Sequence, residues 1–179
     1  MLLKDLLLST EIVDSIGNLE TNITGIAIDS RRVRPGFLFV AVKGTQTDGH
    51  AFVDKAIENG AAALVVCEPV NAPKASAVVR VSDTEKLVGP IATRFYGDPS
   101  HKLRLVGVTG TNGKTTVATV LYQLYRGLGH KVGLVSTVCN YIDDRTVEAT
   151  HTTPDPIELN ALLAEMVEAG CDYAFMECS

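Results

Sequence analysis

Between residues 107 and 116 the chain reads Gly-Val-Thr-Gly-Thr-Asn-Gly-Lys-Thr-Thr, a combination suited to holding the phosphates of a nucleotide. Glycines 107, 110 and 113 are expected to give the backbone dihedrals closed to other residues. Successive amide N–H groups can then converge on phosphate oxygens at the start of a helix, where the dipole places roughly half a positive charge. On this reading Gly110, Thr111, Asn112, Gly113, Lys114, Thr115 and Thr116 form the nucleotide cradle. Lys114 supplies a mobile full charge, the Thr115 hydroxyl is placed to ligate the Mg2+ that accompanies ATP, and Thr116 supports it. The spacing departs from the usual G-x-x-x-x-G-K-[ST] loop, because Val108 stands where its first glycine would fall. A flexible strand-to-helix turn without a ligand is the competing reading of the same residues.

The motif needs a strand before it and a helix after it, and both are legible. Residues 104–109 read as an apolar strand and residues 115–128 as a helix, with Val117, Leu121, Leu124 and Leu128 expected on one face. Further on, residues 131–137 and 173–177 read as strands on either side of a polar hairpin-like excursion at Asp143-Asp144 and a helix over 156–169. That helix has a cap at Asp155, a proline at its first position, Glu158 in capping-box position and Gly170 at its end. Such alternation implies a parallel sheet covered by helices. Upstream, residues 24–28, 37–42, 62–67 and 77–81 read as strands and 50–59 as a helix; around Leu87, Ile91 and Phe95 a second helix must start, kink or split at Pro90. Gly97-Asp-Pro-Ser100 is the best linker, so the expected domains are 1–99 and 100–179. The fold class is thus α/β: a small amino-terminal α/β domain, followed by the first part of a P-loop parallel-sheet ATPase domain. Three strands and two helices make an incomplete nucleotide-binding sheet, so the chain reads as part of a longer protein.

At 179 residues with a formal net charge of −5, the composition is that of an ordinary globular protein and gives no basic patch for nucleic acid. The apolar start is broken by Lys4 and Asp5, with no signal-peptide pattern and no membrane span. A soluble, cytoplasmic protein without membrane or nucleic-acid partners is expected. The cysteines at 67, 139, 171 and 178 lack C-x-x-C spacing and read as buried free thiols; the four histidines show no zinc-binding pattern.

Several segments together resemble the Mur ligases of peptidoglycan synthesis, and within them the UDP-N-acetylmuramoyl-tripeptide synthetases (the MurE type). They are Asp29-Ser-Arg31, Val33-Arg-Pro-Gly36, Phe39-Val-Ala41, Gly44 with Asp48-Gly-His50, the Gly-Thr-Asn-Gly-Lys-Thr-Thr loop, Gly133-Leu-Val-Ser-Thr137 and Thr152-Thr-Pro-Asp155. The last two favour the MurE type over the MurF type. Met176-Glu-Cys-Ser179 resembles the beginning of the family's Glu-x-Ser-Ser-His motif.

The resemblance implies that Ser30 and Arg31 contact the uridine part of a UDP-MurNAc-dipeptide. It likewise implies that Thr45, Gln46 and Thr47 line its diphosphate, that Thr152 and Thr153 contact the muramoyl-peptide region, that Ser179 is a substrate-binding residue, and that Glu177 binds magnesium with Thr115. Read without the resemblance, Asp29-Ser-Arg31 is a turn with a surface ion pair, and Thr152-Thr153 a helix entry. A strand-end carboxylate beside a P-loop, as at Glu177, independently suits a metal.

The implied reaction uses ATP to convert the D-glutamyl carboxylate of UDP-MurNAc-L-Ala-D-Glu to an acyl phosphate, which the amine of meso-diaminopimelate or L-lysine attacks. Lys114, Thr115 and Glu177 would be its catalytic group on this chain, acting through charge stabilisation. The site for the incoming amino acid and a carbamylated lysine would lie outside the chain, so residues 1–179 alone are expected to be inactive; the parent is implied to be monomeric. Alternatives are a MurF-like or other ligase of the same superfamily, or a non-catalytic nucleotide-binding module.

Overall fold

The computed structural model describes residues 1–44, 47–148 and 154–178, which form two compact units, Met1–Phe95 and Tyr96–Ser179. In the first, short apolar runs become β2 (Gly25–Ala27), β3 (Phe37–Val40), β4 (Ala63–Val66) and β5 (Ala77–Val81), all parallel. One strand escaped the sequence reading: β1 (Ile12–Gly17) pairs antiparallel with β5, giving the order β1-β5-β4-β3-β2. Every residue of β1 is exposed. An edge strand with no buried face has no apolar alternation to reveal it.

Side chains alternate across these strands. Phe39, Ala41, Leu64 and Val66 share a buried cluster with Val53 and Ala56 of α2 (Val53–Glu58). The predicted helix over 50–59 is shorter than expected, because residues 49–52 form a 3-10 turn capped by Asp48, whose carboxylate accepts from the His50 N–H. At the other face, α1 (Leu3–Leu6) packs against α3 (Glu85–Phe95), which runs unbroken through Pro90. Pro90 is exposed, so the helix hydrogen bond it cannot donate lies on the side where water can serve the carbonyl left over.

The second unit has the order β6-β10-β7-β8-β9. β6 (Arg104–Val108), β10 (Tyr173–Glu177) and β7 (Val132–Val135) are parallel, and the excursion at Asp143-Asp144 is a hairpin, β8 (Asn140–Ile142) and β9 (Arg145–Val147), that continues the sheet antiparallel. The parallel sheet expected from alternation is therefore mixed. Helices cover both faces. Val132, Leu134 and Phe175 pack on α4 (Lys114–Gly127), whereas Val135 and Ala174 pack on α5 (Pro156–Glu168). The Asp155 carboxylate caps α5 by accepting from the N–H groups of Ile157 and Glu158.

The orientation of α4 corrects the sequence reading. Of the predicted face Leu121 packs on the sheet cluster, but Val117, Leu124 and Leu128 are 48, 53 and 65% exposed, while Ala118 and Tyr122 face the sheet. Aromatic contact decides the rotation: Tyr125 lies 4.6 Å from Tyr173 and 5.1 Å from Phe175 between ring centroids. Tyr122 and Tyr125, which an aliphatic pattern undervalues, pack in the cluster on this face.

Close packing over β7 gives a first prediction. A Cβ on Gly133 would stand 2.3 Å from the sulfur of the fully buried Met166. Gly133→Ala should destabilise the second unit by about 1–3 kcal/mol through overpacking, measured as a lower urea midpoint; an unchanged midpoint would show that Met166 yields without cost.

Candidate nucleotide and substrate sites

The loop between β6 and α4 is shaped by two glycines in the region of positive φ, Gly110 at 150° and Gly113 at 79°, the latter immediately before α4. Gly107 corrects the expectation: it lies in β6 with ordinary strand geometry. It is glycine for proximity, since a Cβ there would come within 3.0 Å of the Cys178 sulfur. The N–H of Val117 closes the first turn of α4 on the Gly113 carbonyl at 2.9 Å, so the amides before it point out of the helix start toward any anion seated there. Lys114 Nζ donates to the Gly110 carbonyl at 2.9 Å, folding its charge back over the loop. Thr111, Asn112 and Thr116 are exposed on the same rim.

Glu177, at the carboxyl end of β10, reaches this loop. Its Oε2 accepts from the Thr115 hydroxyl at 2.9 Å and from the Thr137 N–H at 3.3 Å, and the Thr137 hydroxyl lies 3.4 Å from both carboxylate oxygens. Thr137 had been assigned no role. It sits just past the carboxyl end of β7, where the crevice of an open parallel sheet lies, and that position was its available signal. Ser136 and Asn140 tighten the turn carrying it: the Ser136 N–H donates to Asn140 Oδ1, and the Ser136 hydroxyl to the Cys139 carbonyl.

The Thr115 hydroxyl and Glu177 carboxylate form a hard-oxygen pair beside a phosphate cradle, a donor set that fits Mg2+. Bound with a nucleotide, that ion takes one or two carboxylates and fills its shell with phosphate and water. Among the described residues no group of three or more His, Cys, Asp or Glu is arranged to hold a metal by itself.

In the first unit, Ser30, Arg31, Gly44, Thr47, Phe52 and Lys55 line an open cavity of about 640 Å³. Asp29 caps a 3-10 turn over Ser30–Arg32 and holds Arg31 through a two-pronged ion pair, 2.7 Å at its shortest, with Arg31 86% exposed. Those hydrogen bonds from Arg31 hold the Asp29 carboxyl below its ordinary range. The turn and ion pair are therefore real, and they also present Arg31 at the cavity rim. Ser30 is nearly buried, and its carbonyl accepts from Asn59 Nδ2 at 2.8 Å.

Phe52, 41% exposed, and Lys55 also line this cavity; the sequence gives them no binding role, because both fall within the predicted helix over 50–59. The structure thus brings Ser30, Arg31 and Thr47 to one cavity and Lys114, Thr115 and Glu177 to one loop. Thr45, Gln46, Thr152, Thr153 and Ser179 lie outside the described residues.

The cysteines are free, but Cys171 alone of the four is buried; burial pushes its thiol above the ordinary range. The sulfur of Cys67 lies 3.5 Å from His50 Nε2. No helix among the described residues is long and apolar enough to cross a membrane.

Comparison with known proteins places both units in one family. Residues 22–96 match the Mur ligase family, catalytic domain, and residues 108–179 match the Mur ligase middle domain. A UDP-N-acetylmuramoyl-L-alanyl-D-glutamate--2,6-diaminopimelate ligase of Bacteroides fragilis is 56% identical over 181 residues, covering all of this chain and 37% of the relative. One of the same name from Clostridium perfringens is 39% identical, again over the whole chain and 37% of the relative. The chain thus spans a little over a third of the length of these curated relatives.

Among solved structures, a diaminopimelate ligase of that name shares the fold across the whole chain, with a TM-score of 0.77 at 22% identity and 36% of its own length covered. A MurF ligase of Thermotoga maritima, solved in complex with ADP, is 28% identical with a TM-score of 0.58, over 88% of this chain and 32% of its own.

Proposed function

Because this chain belongs to the Mur ligase family, we propose that it carries the UDP-substrate and ATP-binding elements of a cytoplasmic ligase of the MurE type. That enzyme joins a diamino acid to UDP-N-acetylmuramoyl-L-alanyl-D-glutamate. The observation that carries the reading is the contact between Thr115 and Glu177, 2.9 Å apart at the mouth of the phosphate loop. Across its whole length the chain is 56% identical to a relative named for this reaction. The relatives' names favour 2,6-diaminopimelate over L-lysine as the added amino acid.

The proposed chemistry divides between the two units. In the first, Ser30 and Arg31 would meet the uridine part, Lys55 offers positive charge to the diphosphate, and Thr47 offers it a hydroxyl and backbone donors at the same rim. Thr45 and Gln46 would extend that wall, and Thr152, Thr153 and Ser179 would meet the muramoyl-peptide arm. In the second, residues 110–116 would cradle the phosphates of ATP while Lys114 leaves the Gly110 carbonyl to pair with the transferred group. Mg2+, held by Thr115 and Glu177, would supply charge neutralisation as the substrate's own carboxylate takes the phosphoryl group. No side chain of this chain acts as a nucleophile. Its groups bind, orient and stabilise charge.

The test is binding of UDP-N-acetylmuramoyl-L-alanyl-D-glutamate to the 179-residue chain by calorimetry, together with an assay of the complete gene product. ADP release should require this substrate and meso-diaminopimelate together. ADP release that responds to D-alanyl-D-alanine and a tripeptide substrate instead would transfer the reading to the MurF type.

A further inference from the structure

Of the Asp48-Gly49-His50 segment only Gly49 lines the cavity just described, yet its histidine is engaged at both ring nitrogens. Only 8% of the His50 side chain is exposed. Its Nδ1 lies 2.6 Å from Asp48 Oδ1, and its Nε2 lies 3.0 Å from the Cys67 amide nitrogen, one residue past β4.

Those two contacts fix the proton. A backbone N–H can only donate, so Nε2 must offer its lone pair; Asp48, as a carboxylate, can only accept, so Nδ1 carries the hydrogen. The Asp48 carboxyl is held below its ordinary range by hydrogen bonds from the His50 amide and ring, which keeps it an acceptor. The ring therefore bridges the Asp48 side chain to the sheet.

Asp48 in turn closes the stem of the segment that carries Thr47 to the cavity. Lys43 and Asp48 form a β-bridge, the Gly44 N–H donates to the Thr47 carbonyl at 3.1 Å, and the Gly49 N–H donates to the Val42 carbonyl at 2.9 Å. Gly49 fits that approach as a glycine, because a Cβ there would lie 2.7 Å from the Val42 oxygen. Both Gly44 and Thr47 line the cavity.

We propose that His50, locked in its Nδ1–H tautomer between Asp48 and the Cys67 amide, is a positioning residue that sets the Gly44 and Thr47 backbone for the diphosphate of a nucleoside-diphosphate ligand. It touches no ligand and acts through Asp48 and the stem. This rests on the reading of the cavity as a UDP-substrate site. The same contacts account for Cys67: its sulfur lies beside an acceptor that its own amide already engages, so the thiol is a neighbour of the bridge and not a part of it.

Two variants divide the bridge. His50→Asn keeps a donor for Asp48 but cannot reach Cys67, whereas His50→Gln keeps an acceptor for Cys67 but loses the donor to Asp48. Each should weaken binding of uridine 5′-diphosphate to the 179-residue chain by about tenfold in calorimetry, the scale of one buried charge-assisted hydrogen bond. Amide hydrogen exchange at Gly44 and Gly49 should accelerate in both.

The unmodified chain provides a test that does not depend on the variants folding. The 15N shifts of the His50 ring should show a protonated Nδ1 and an unprotonated Nε2. An Nε2–H tautomer overturns the bridge, and variants that bind UDP within twofold of the unmodified chain overturn its role in positioning. If the unmodified chain fails to bind UDP while the tautomer and exchange results hold, the reading of the cavity has failed. His50 is then a structural bridge, and its positioning role is overturned too.

Discussion

Lys114→Ala should reduce Mg-ATP affinity of the 179-residue chain below detection in calorimetry, and in the complete gene product should lower kcat/KM by about 10²–10³. Lys114 starts α4, so truncation beyond Cβ leaves the helix and the positive-φ glycines untouched. What disappears is the only full charge within the 110–116 loop. The remaining attraction comes from amide dipoles, which hold a polyanion far less firmly when one charge-assisted contact is gone. In the present structure the ammonium group is satisfied by one neutral carbonyl, Gly110, so exchanging it for phosphate costs little. Wild-type affinity in the alanine variant would remove the lysine from the site. Failure of the unmodified chain to bind Mg-ATP would mean that the loop sequence is present without a working cradle.

Glu177→Gln should have the second large effect, visible as a change in metal dependence. Glutamine is nearly the same shape and can still accept from Thr115, but it has no charge and only one accepting atom. Glu177 now faces donors at Thr115 and at the Thr137 amide, and one of them would meet an amide NH2 instead. Nucleotide affinity in Mg2+ should fall by about tenfold or more, consistent with loss of a charged hydrogen-bonding partner. Affinity in EDTA should hardly move. Equal losses in the two conditions would assign Glu177 to the architecture of the loop and not to the metal.

The residues proposed to bind by backbone are the most legible from sequence, because glycine and a following Gly-Lys-Thr leave a spaced record. Gly110 and Gly113 adopt the dihedrals that record implied. Gly107 did not, since its requirement comes from Cys178, 71 positions later, and proximity of that kind has no local signature. The parallel strands were legible to within a residue or two, while β1, an antiparallel edge strand exposed along its whole length, was not. The rotation of α4 was misjudged for a related reason: what the helix packs on is an aromatic cluster assembled from Tyr173 and Phe175 on a distant strand. At the sites, Arg31 and Glu177 stood out by type and position. Thr137, Phe52 and His50 gain meaning only from what the fold sets beside them.

The order β6-β10-β7 carries one more consequence, concerning time. The phosphate loop hangs from β6, whose pairing partner in the described sheet is β10, and β10 is the last of these strands to leave the ribosome. Until residues 173–177 emerge, β6 and β7 have no strand between them and cannot join, so the loop is attached to an unpaired segment. Such long-range parallel pairing is slow and leaves edges open while it waits. The same strand delivers Glu177 to Thr115. During biosynthesis the β6-β10-β7 pairing and the carboxylate proposed here as a metal ligand are thus brought in by a single insertion, and a nascent chain that has not made it lacks the Thr115–Glu177 contact.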